Sequence, residues 1–311
     1  MSEIKGRVLV TGGSGTLGHA IARAARERKW DCQLTIFSRS ELNQARMRVQ
    51  HPECRYVIGD IRDYDRLESA IAGHDIVIHA AAMKRIPECE QYPDECYATN
   101  IFGSLNVVRA CTHHAVKQCV GISTDKAVRA ITAYGASKLT MERLFMAQPT
   151  EPCLFSLVRY GNVVASNGSV IPIWKKQASE GKPLTLTSKQ CTRFWMAPSS
   201  AVDLILDSLE ISSRTGYCNN IIPTMGSLPI EEMANIICPG SQLVEIGLRS
   251  SEKFHEDLLH TEEPYRSEGR HLLIVTPHEK GSLGGSYTSR DAPQLSPQSF
   301  LEMLKEAESY D

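Results

Sequence analysis

Arg7-Val8-Leu9-Val10-Thr11 runs directly into Gly12-Gly13-Ser14-Gly15-Thr16-Leu17-Gly18, and a helical stretch rich in Ala and Arg follows. The short apolar run reads as a buried strand, and glycines at its end permit a tight turn and close backbone approach to a ligand. The helix that begins there offers unpaired N–H groups and the positive end of its dipole, a good seat for a pyrophosphate. A Gly-rich turn alone is a weak signal. Between strand and helix it predicts that Gly12, Ser14, Gly15, Thr16, Leu17 and Gly18 bind a dinucleotide.

Outward from this turn, apolar runs at 33–37, 55–58, 75–80, 118–123 and 154–159 alternate with longer helical patterns. Such a train predicts an α/β fold, a Rossmann-type doubly wound parallel sheet with helices on both faces and ligands beyond the carboxyl ends of the strands. After Tyr160 the chain turns to Gly-, Pro- and Ser-punctuated segments between short helices. The expected division is a dinucleotide-binding domain over 1–165, completed by about 192–222. A smaller substrate-binding lobe and tail would take 166–191 and 223–311, with 277–295 as a loop.

The 311 residues are 42% apolar and 23% charged with a net charge of -2, an ordinary globular balance with no broad basic surface for nucleic acid. No apolar run approaches the roughly 20 residues of a membrane helix, and the first residues lack a signal-peptide pattern. A cytoplasmic protein is expected. The ten cysteines are scattered without a C-x-x-C pair, and His113-His114 or His255 with His260 lack zinc-site spacing. Buried free thiols and no metal are expected.

The second strand ends in Phe37-Ser38-Arg39-Ser40, where an NAD site usually presents an acid to the ribose. A hydroxyl at Ser38 and a guanidinium at Arg39 suit a 2'-phosphate instead, favouring NADP over NAD. The competing possibility is a solvated Arg39, with Glu41 taking the ribose. Asp60, after the third strand, is placed to meet the adenine.

Tyr134 and Lys138 lie four apart, on one face of a helix. A free Tyr titrates near about 10, and a nearby ammonium with an oxidised nicotinamide can lower that by roughly 1 to 3 units, making a base. The fifth strand ends in Ser123-Thr124-Asp125-Lys126. A simple oxidoreductase needs only a hydroxyl there. An adjacent acid and amine add the second proton donor and acceptor that loss of water across a carbon–carbon bond requires.

Ser-Thr-Asp-Lys-Ala at 123–127, Tyr-Gly-Ala-Ser-Lys at 134–138, Arg-Tyr-Gly-Asn-Val-Val at 159–164 and Thr-Arg-Phe-Trp at 192–195 together resemble the inverting UDP-N-acetylglucosamine 4,6-dehydratases of the extended short-chain dehydrogenase/reductase superfamily. Ser38-Arg39, His79-Ala80-Ala81-Ala82 with Lys84, Gly168-Ser169-Val170 and Glu252-Lys253 with His255-Glu256 belong to the same likeness, which spans 7 to about 260. The resemblance implies that Tyr134 deprotonates the sugar C4 hydroxyl while hydride passes to NADP. Lys126 would then take the C5 proton, Asp125 would protonate the departing C6 hydroxyl, and Thr124 would bond the C4 oxygen. Returned hydride would give a 4-keto-6-deoxy sugar with C5 inverted, for surface glycan or nonulosonic acid synthesis. Ile61, Ala80, Ala81, Ala82 and Val163 would join the cofactor site; Lys84, Asn162, Arg193, Arg249 and Glu252 would hold UDP-N-acetylglucosamine. The family also implies a homo-oligomer.

The chain departs from the family at Ser166-Asn167-Gly168-Ser169, at Arg249-Ser250-Ser251 and at Val128-Arg129-Ala130, next to the expected sugar pocket. Two other readings stand beside the dehydratase: a nucleotide-sugar 4-epimerase or reductase, and a non-catalytic NADP-binding regulator.

Overall fold

The computed structural model describes residues 3–166, 169–249, 251–275 and 281–309. Asn167, Gly168 and Ser250, singled out above, lie outside the described residues, as do 277–280 of the expected loop.

The first half is the alternation read from the sequence: β1 (Gly6–Thr11), α1 (Thr16–Glu27), β2 (Cys32–Ser38), α2 (Glu41–Gln50), β3 (Arg55–Ile58), α3 (Tyr64–Ile71) and β4 (Ile76–His79). Then α4 (Ile86–Gln91), α5 (Pro93–Tyr97), a π-helical stretch at Ala98–Phe102 and α6 (Gly103–His113) lead to β5 (Gln118–Thr124), α7 (Ala133–Met146) and β6 (Leu154–Tyr160). Helix starts fall where short polar side chains can accept orphan backbone N–H groups. Ser40 accepts from Asn43, Asp63 from Arg66 and Thr132 from Gly135.

The second half comprises β7 (Asn162–Val163), α8 (Val170–Ser179), β8 (Leu184–Leu186), β9 (Thr192–Met196), α9 (Pro198–Thr215), β10 (Asn220–Pro223), β11 (Gly226–Pro229) and α10 (Ile230–Ile237). It continues with β12 (Leu243–Glu245), β13 (Asp257–Leu259), β14 (Tyr265–Glu268), β15 (His271–Ile274), β16 (Tyr287–Thr288) and α11 (Pro297–Glu308).

Nine strands form the main sheet, in the order β14-β15-β10-β6-β5-β4-β1-β2-β3. From β3 to β10 neighbours pair in parallel; β15 and β14 close the far edge antiparallel. This is a Rossmann α/β fold. The edge hairpin at 265–274 comes from the segment read as lobe, whereas β9 joins β7 and β11 in a separate small sheet. The chain moves outward from β1 to β3 and restarts at β4 on the other side of β1. A crevice therefore opens at the carboxyl ends of β1 and β4.

Apolar side chains cover both faces of the sheet. On one face Ile21, Ala24, Val202 and Ile205 of α1 and α9 pack over Val8, Val10 and Ile36. On the other, Leu67, Val107, Met141 and Phe145 cover Leu9, Val77 and Leu157. A third cluster around Trp174, Trp195 and Phe300 is the core of the lobe. Each fully buried large side chain contributes about 1.5–3 kcal/mol by leaving water. The cysteines are free thiols, Cys32 half-buried and the others buried. Among the described residues no helix is long and apolar enough to cross a membrane.

Candidate functional site

The glycine turn is built as a cradle. Gly12 adopts φ +67°, and a Cβ there would lie 2.7 Å from the backbone of Ala81. A Cβ on Gly18 would stand 1.7 Å from the carbonyl of Gly13, so Gly18 allows α1 to press against the turn and does not itself face the cavity. Gly15 is the N-cap of α1 and makes no side-chain cap. The first turn of α1 thus faces the crevice with its dipole.

Two connected spaces flank this turn. One, about 230 Å³, is lined by Ser14, Ser38, Arg39, Asn43, Asp60 and Ile61. Ser38 is buried, accepting from Ser14 Oγ at 2.9 Å and from Gln44 Nε2 at 3.0 Å. Arg39 is largely exposed and 3.8 Å from Asp60, whose carboxylate is already gripped by Arg62 at 2.7 and 2.9 Å. Glu41 is not among the lining residues. The other space, about 340 Å³, is lined by Gly12, Thr16, Leu17, Ala80, Ala81 and Ala82 on one side. Thr124, Lys126, Tyr134, Lys138 and Val163 line its other side. Together they form an elongated space that runs from Ser38 past the N-terminus of α1 to Tyr134.

Lys138 is buried and donates to Met141 Sδ at 2.9 Å. Burial lowers its ammonium to about 8, partly opposed by Glu142. Tyr134 does not follow the expectation of a lowered phenol. Burial pushes it up to about 12, outweighing the Lys126 ammonium and the Thr124 hydroxyl, which both favour phenolate, while Asp125 adds to the rise. Within the chain alone, burial outweighs the charges and favours the protonated Tyr134. Positive charge on an oxidised nicotinamide would have to supply the remaining pull.

Asp125 has no exposed surface. Its Oδ1 accepts from Lys126 Nζ at 2.9 Å and from Thr124 Oγ1 at 2.8 Å, while Oδ2 has no hydrogen-bond partner among the described residues. Burial raises the carboxyl above its usual range, Lys126 opposes, and Glu256 adds to the rise. Two carboxylates near one amine make it a strong proton holder, so Lys126 lies above the usual lysine range despite burial.

The residues expected to hold substrate gather beyond this point. A cavity of about 440 Å³ is lined by Lys84, Asn162, Val163, Arg193, Arg249 and Glu252. Asn162 donates to Phe194 O at 3.2 Å. Arg193 is buried and already engaged, donating to Thr192 O, Phe254 O, Lys253 O and Glu252 Oε1 at 2.8–3.1 Å. It builds the wall and aims Glu252, whereas Arg249 stays exposed on the rim.

Several residues of the site carry no local signal. Asn100, in the π-helical stretch, accepts from Met83 N at 2.7 Å and donates to Met83 O and Ser137 Oγ at 2.8 and 2.9 Å, tying the Lys84 loop to α7. Arg159 is buried between Glu142 at 2.6 Å and Glu263 at 2.8 Å. Glu142 stands one turn after Lys138, and that spacing alone could have flagged it. Glu256, noted only as part of a motif, comes within 3.6 Å of Lys126. Away from the crevice, Glu68 meets His114 at 2.6 Å and His113 at 3.6 Å, a metal-capable group that spacing along the chain did not reveal. It sits at the end of α6 that leads into the start of β5, the opposite end of that strand from Lys126.

The doubly wound sheet, glycine cradle and Tyr134–Lys138 face define an extended short-chain dehydrogenase/reductase. The polysaccharide biosynthesis protein family model matches residues 8–276. The chain belongs to that family. It is 36% identical, over 98% of its length and 99% of the relative's, to the UDP-N-acetylglucosamine 4,6-dehydratase (inverting) of Campylobacter jejuni. It is also 36% identical, over 96% and 94%, to a UDP-glucose 4-epimerase of Rickettsia bellii. Among solved structures, Pen from Bacillus thuringiensis superposes with a TM-score of 0.88 at 31% identity, covering 99% of both chains.

Proposed function

We propose that this chain is an NADP-dependent 4,6-dehydratase of a nucleotide-activated hexose, with UDP-N-acetylglucosamine as the first substrate to test. The observation that carries this reading is the Asp125–Lys126 pair at the end of β5, with Lys126 in one cavity with Tyr134 and Asp125 buried directly behind it. Hydride exchange at C4 alone needs only Tyr134 and its partners. A second acid and base are wanted only where a C–O bond is also broken.

Bound NADP would accept the hydride from C4 and give it back at C6. Tyr134 takes the C4 hydroxyl proton, and Thr124 holds the C4 oxygen. The ketone acidifies C5, so Lys126, as the free amine, can remove that proton while its electron pair enters the enolate. The C6–O bond breaks as the hydroxyl leaves with the Asp125 proton as water. Inversion requires that C5 be reprotonated from solvent on the face opposite Lys126, since a proton handed back by Lys126 itself would restore the starting configuration; Lys126 passes the proton it took to Asp125 and the pair is reset. The ion pair is the state after elimination; before it the proton sits on Asp125, a tautomer reached across the 2.9 Å contact that burial of Asp125 favours and the strong hold of Lys126 on its proton opposes, so sugar binding has to supply the difference. Ser38, Arg39 and Asn43 offer donors to a 2'-phosphate, which supports NADP. Lys84, Asn162, Arg249 and Glu252 are the residues we assign to the nucleotide sugar.

The test is NMR of the protein with UDP-N-acetylglucosamine in deuterated water. A new methyl signal with deuterium at C5, and ring couplings of the inverted sugar, is the expected result. The relatives named 4-epimerase support a second reading, in which the C6 oxygen is retained and C4 alone inverts. Tight NADP binding with no conversion of any nucleotide hexose would favour the non-catalytic regulator.

A further inference from the structure

Two carboxylates face the Lys126 amine, and the second comes from the far end of the chain. Glu256 Oε1 lies 3.6 Å from Lys126 Nζ and 4.0 Å from Arg193 Nε, and its Oε2 lies 4.0 Å from Lys253 Nζ without a hydrogen bond among the described residues. The residue is 4% exposed. Its backbone is pinned on both sides by Ser289: the Glu256 N–H donates to Ser289 Oγ at 2.9 Å, and the Ser289 N–H donates to Glu256 O at 2.8 Å. The charged groups that face it are Lys126 from the turn after β5, Arg193 from β9, Lys253 on its own segment, and Asp125 across the shared amine.

A buried carboxylate with an unsatisfied oxygen is destabilising, and a purely structural residue has no need of it. Burial alone would push the Glu256 carboxyl up, but Lys126, Arg193 and Lys253 together hold it below the ordinary range. Asp125, with fewer cations and full burial, goes the other way. When two acids share one amine, the one richer in cations stays ionised, and a proton that the amine gives up goes to the other.

Resting on the dehydratase reading above, we propose that Glu256 is a positioning residue of the elimination: its fixed negative charge anchors the Lys126 amine and leaves Asp125 as the carboxyl with the transferable proton. Glu256 itself exchanges no proton with the sugar.

The test compares full-length wild type, Glu256→Gln and Glu256→Asp with NADP and the nucleotide sugar, following solvent deuterium at C5 against pH together with the reduced nicotinamide. Glu256→Gln is expected to slow deuterium incorporation about 10- to 100-fold, the scale of one charged contact, while reduced nicotinamide still forms at the wild-type rate. Removing the negative charge weakens proton binding at both Lys126 and Asp125, so both limbs of the pH profile move to lower pH. Glu256→Asp keeps the charge and keeps the limbs in place. A folded Glu256→Gln with unmoved limbs, or with both steps slowed in parallel, overturns the proposal alone. Wild type that incorporates no deuterium from any nucleotide hexose overturns the dehydratase reading and the proposal with it. Should Glu256→Gln fail to fold, Ser289→Ala, which loosens the Glu256 backbone, must shift the limbs the same way; unmoved limbs there also overturn the proposal.

Discussion

The Lys126 ammonium and the Asp125 carboxylate meet at 2.9 Å, with Asp125 wholly buried and one of its oxygens without a hydrogen bond among the described residues. Such a pair moves a proton with little rearrangement. Asp125→Asn and Lys126→Met keep the shape and remove the exchange. Each is expected to lower methyl formation by about 10²- to 10⁴-fold, the usual worth of a positioned acid or base, while the reduced nicotinamide still appears on adding nucleotide sugar. NMR and absorbance separate the two steps. Equal loss of both would show that the pair serves binding or hydride transfer and not elimination.

Arg39 lines the same space as the buried Ser38, the space we assign to the adenosine end of NADP. A charge-assisted hydrogen bond contributes about 1.5–3 kcal/mol, so Arg39→Ala is expected to weaken NADPH binding by about 10- to 100-fold and leave NADH binding little changed. Fluorescence titration with the two cofactors measures this. Parallel weakening of both would remove the 2'-phosphate assignment.

Lys138 is 3% exposed and burial lowers its ammonium to about 8. In the unfolded chain it titrates near about 10.4. The unfolded state therefore binds the extra proton between these two values, so the destabilisation is full below about pH 8, fades as pH rises and is gone above about 10.4. Cofactor-free Lys138→Met should be more stable than wild type at pH 7, by on the order of 2–3 kcal/mol, with the gap closing across that window. Urea unfolding at several pH values measures it. A gap independent of pH would mean that lost packing, not the charge, sets the difference.

Arg159, inside the sheet, is held by Glu142 of α7 and by Glu263 before the edge hairpin, and also donates to Leu258 O at 3.0 Å. Breaking a buried pair by removing one partner costs about 3–5 kcal/mol. Glu263→Ala should thus lower the melting temperature by roughly 10 °C, at about 2–4 °C per kcal/mol for a chain of this size. A melting curve within a degree or two of wild type would show that the network contributes little to stability.

Much of this protein is written locally. Periodicity and the Gly12–Gly18 turn determined the strand train and the crevice, because a buried parallel strand must be apolar throughout and a tight turn under a helix needs glycine where a Cβ would collide. The spacings Asp125–Lys126 and Tyr134–Lys138 likewise named chemistry, since neighbours on a turn or a helix face need no tertiary structure to meet. What the sequence could not decide is the electrostatics. Lys126 becomes a strong proton holder, and Tyr134 is left protonated in the bare chain, through burial and through groups distant in sequence. Glu256 reaches Lys126 across 130 residues, and Glu263 reaches Arg159 across 104. Asn100, in the π-helical stretch, ties the Lys84 loop to α7. Charge interactions depend on distance and dielectric, and the folding of the C-terminal segments over the end of the sheet sets both.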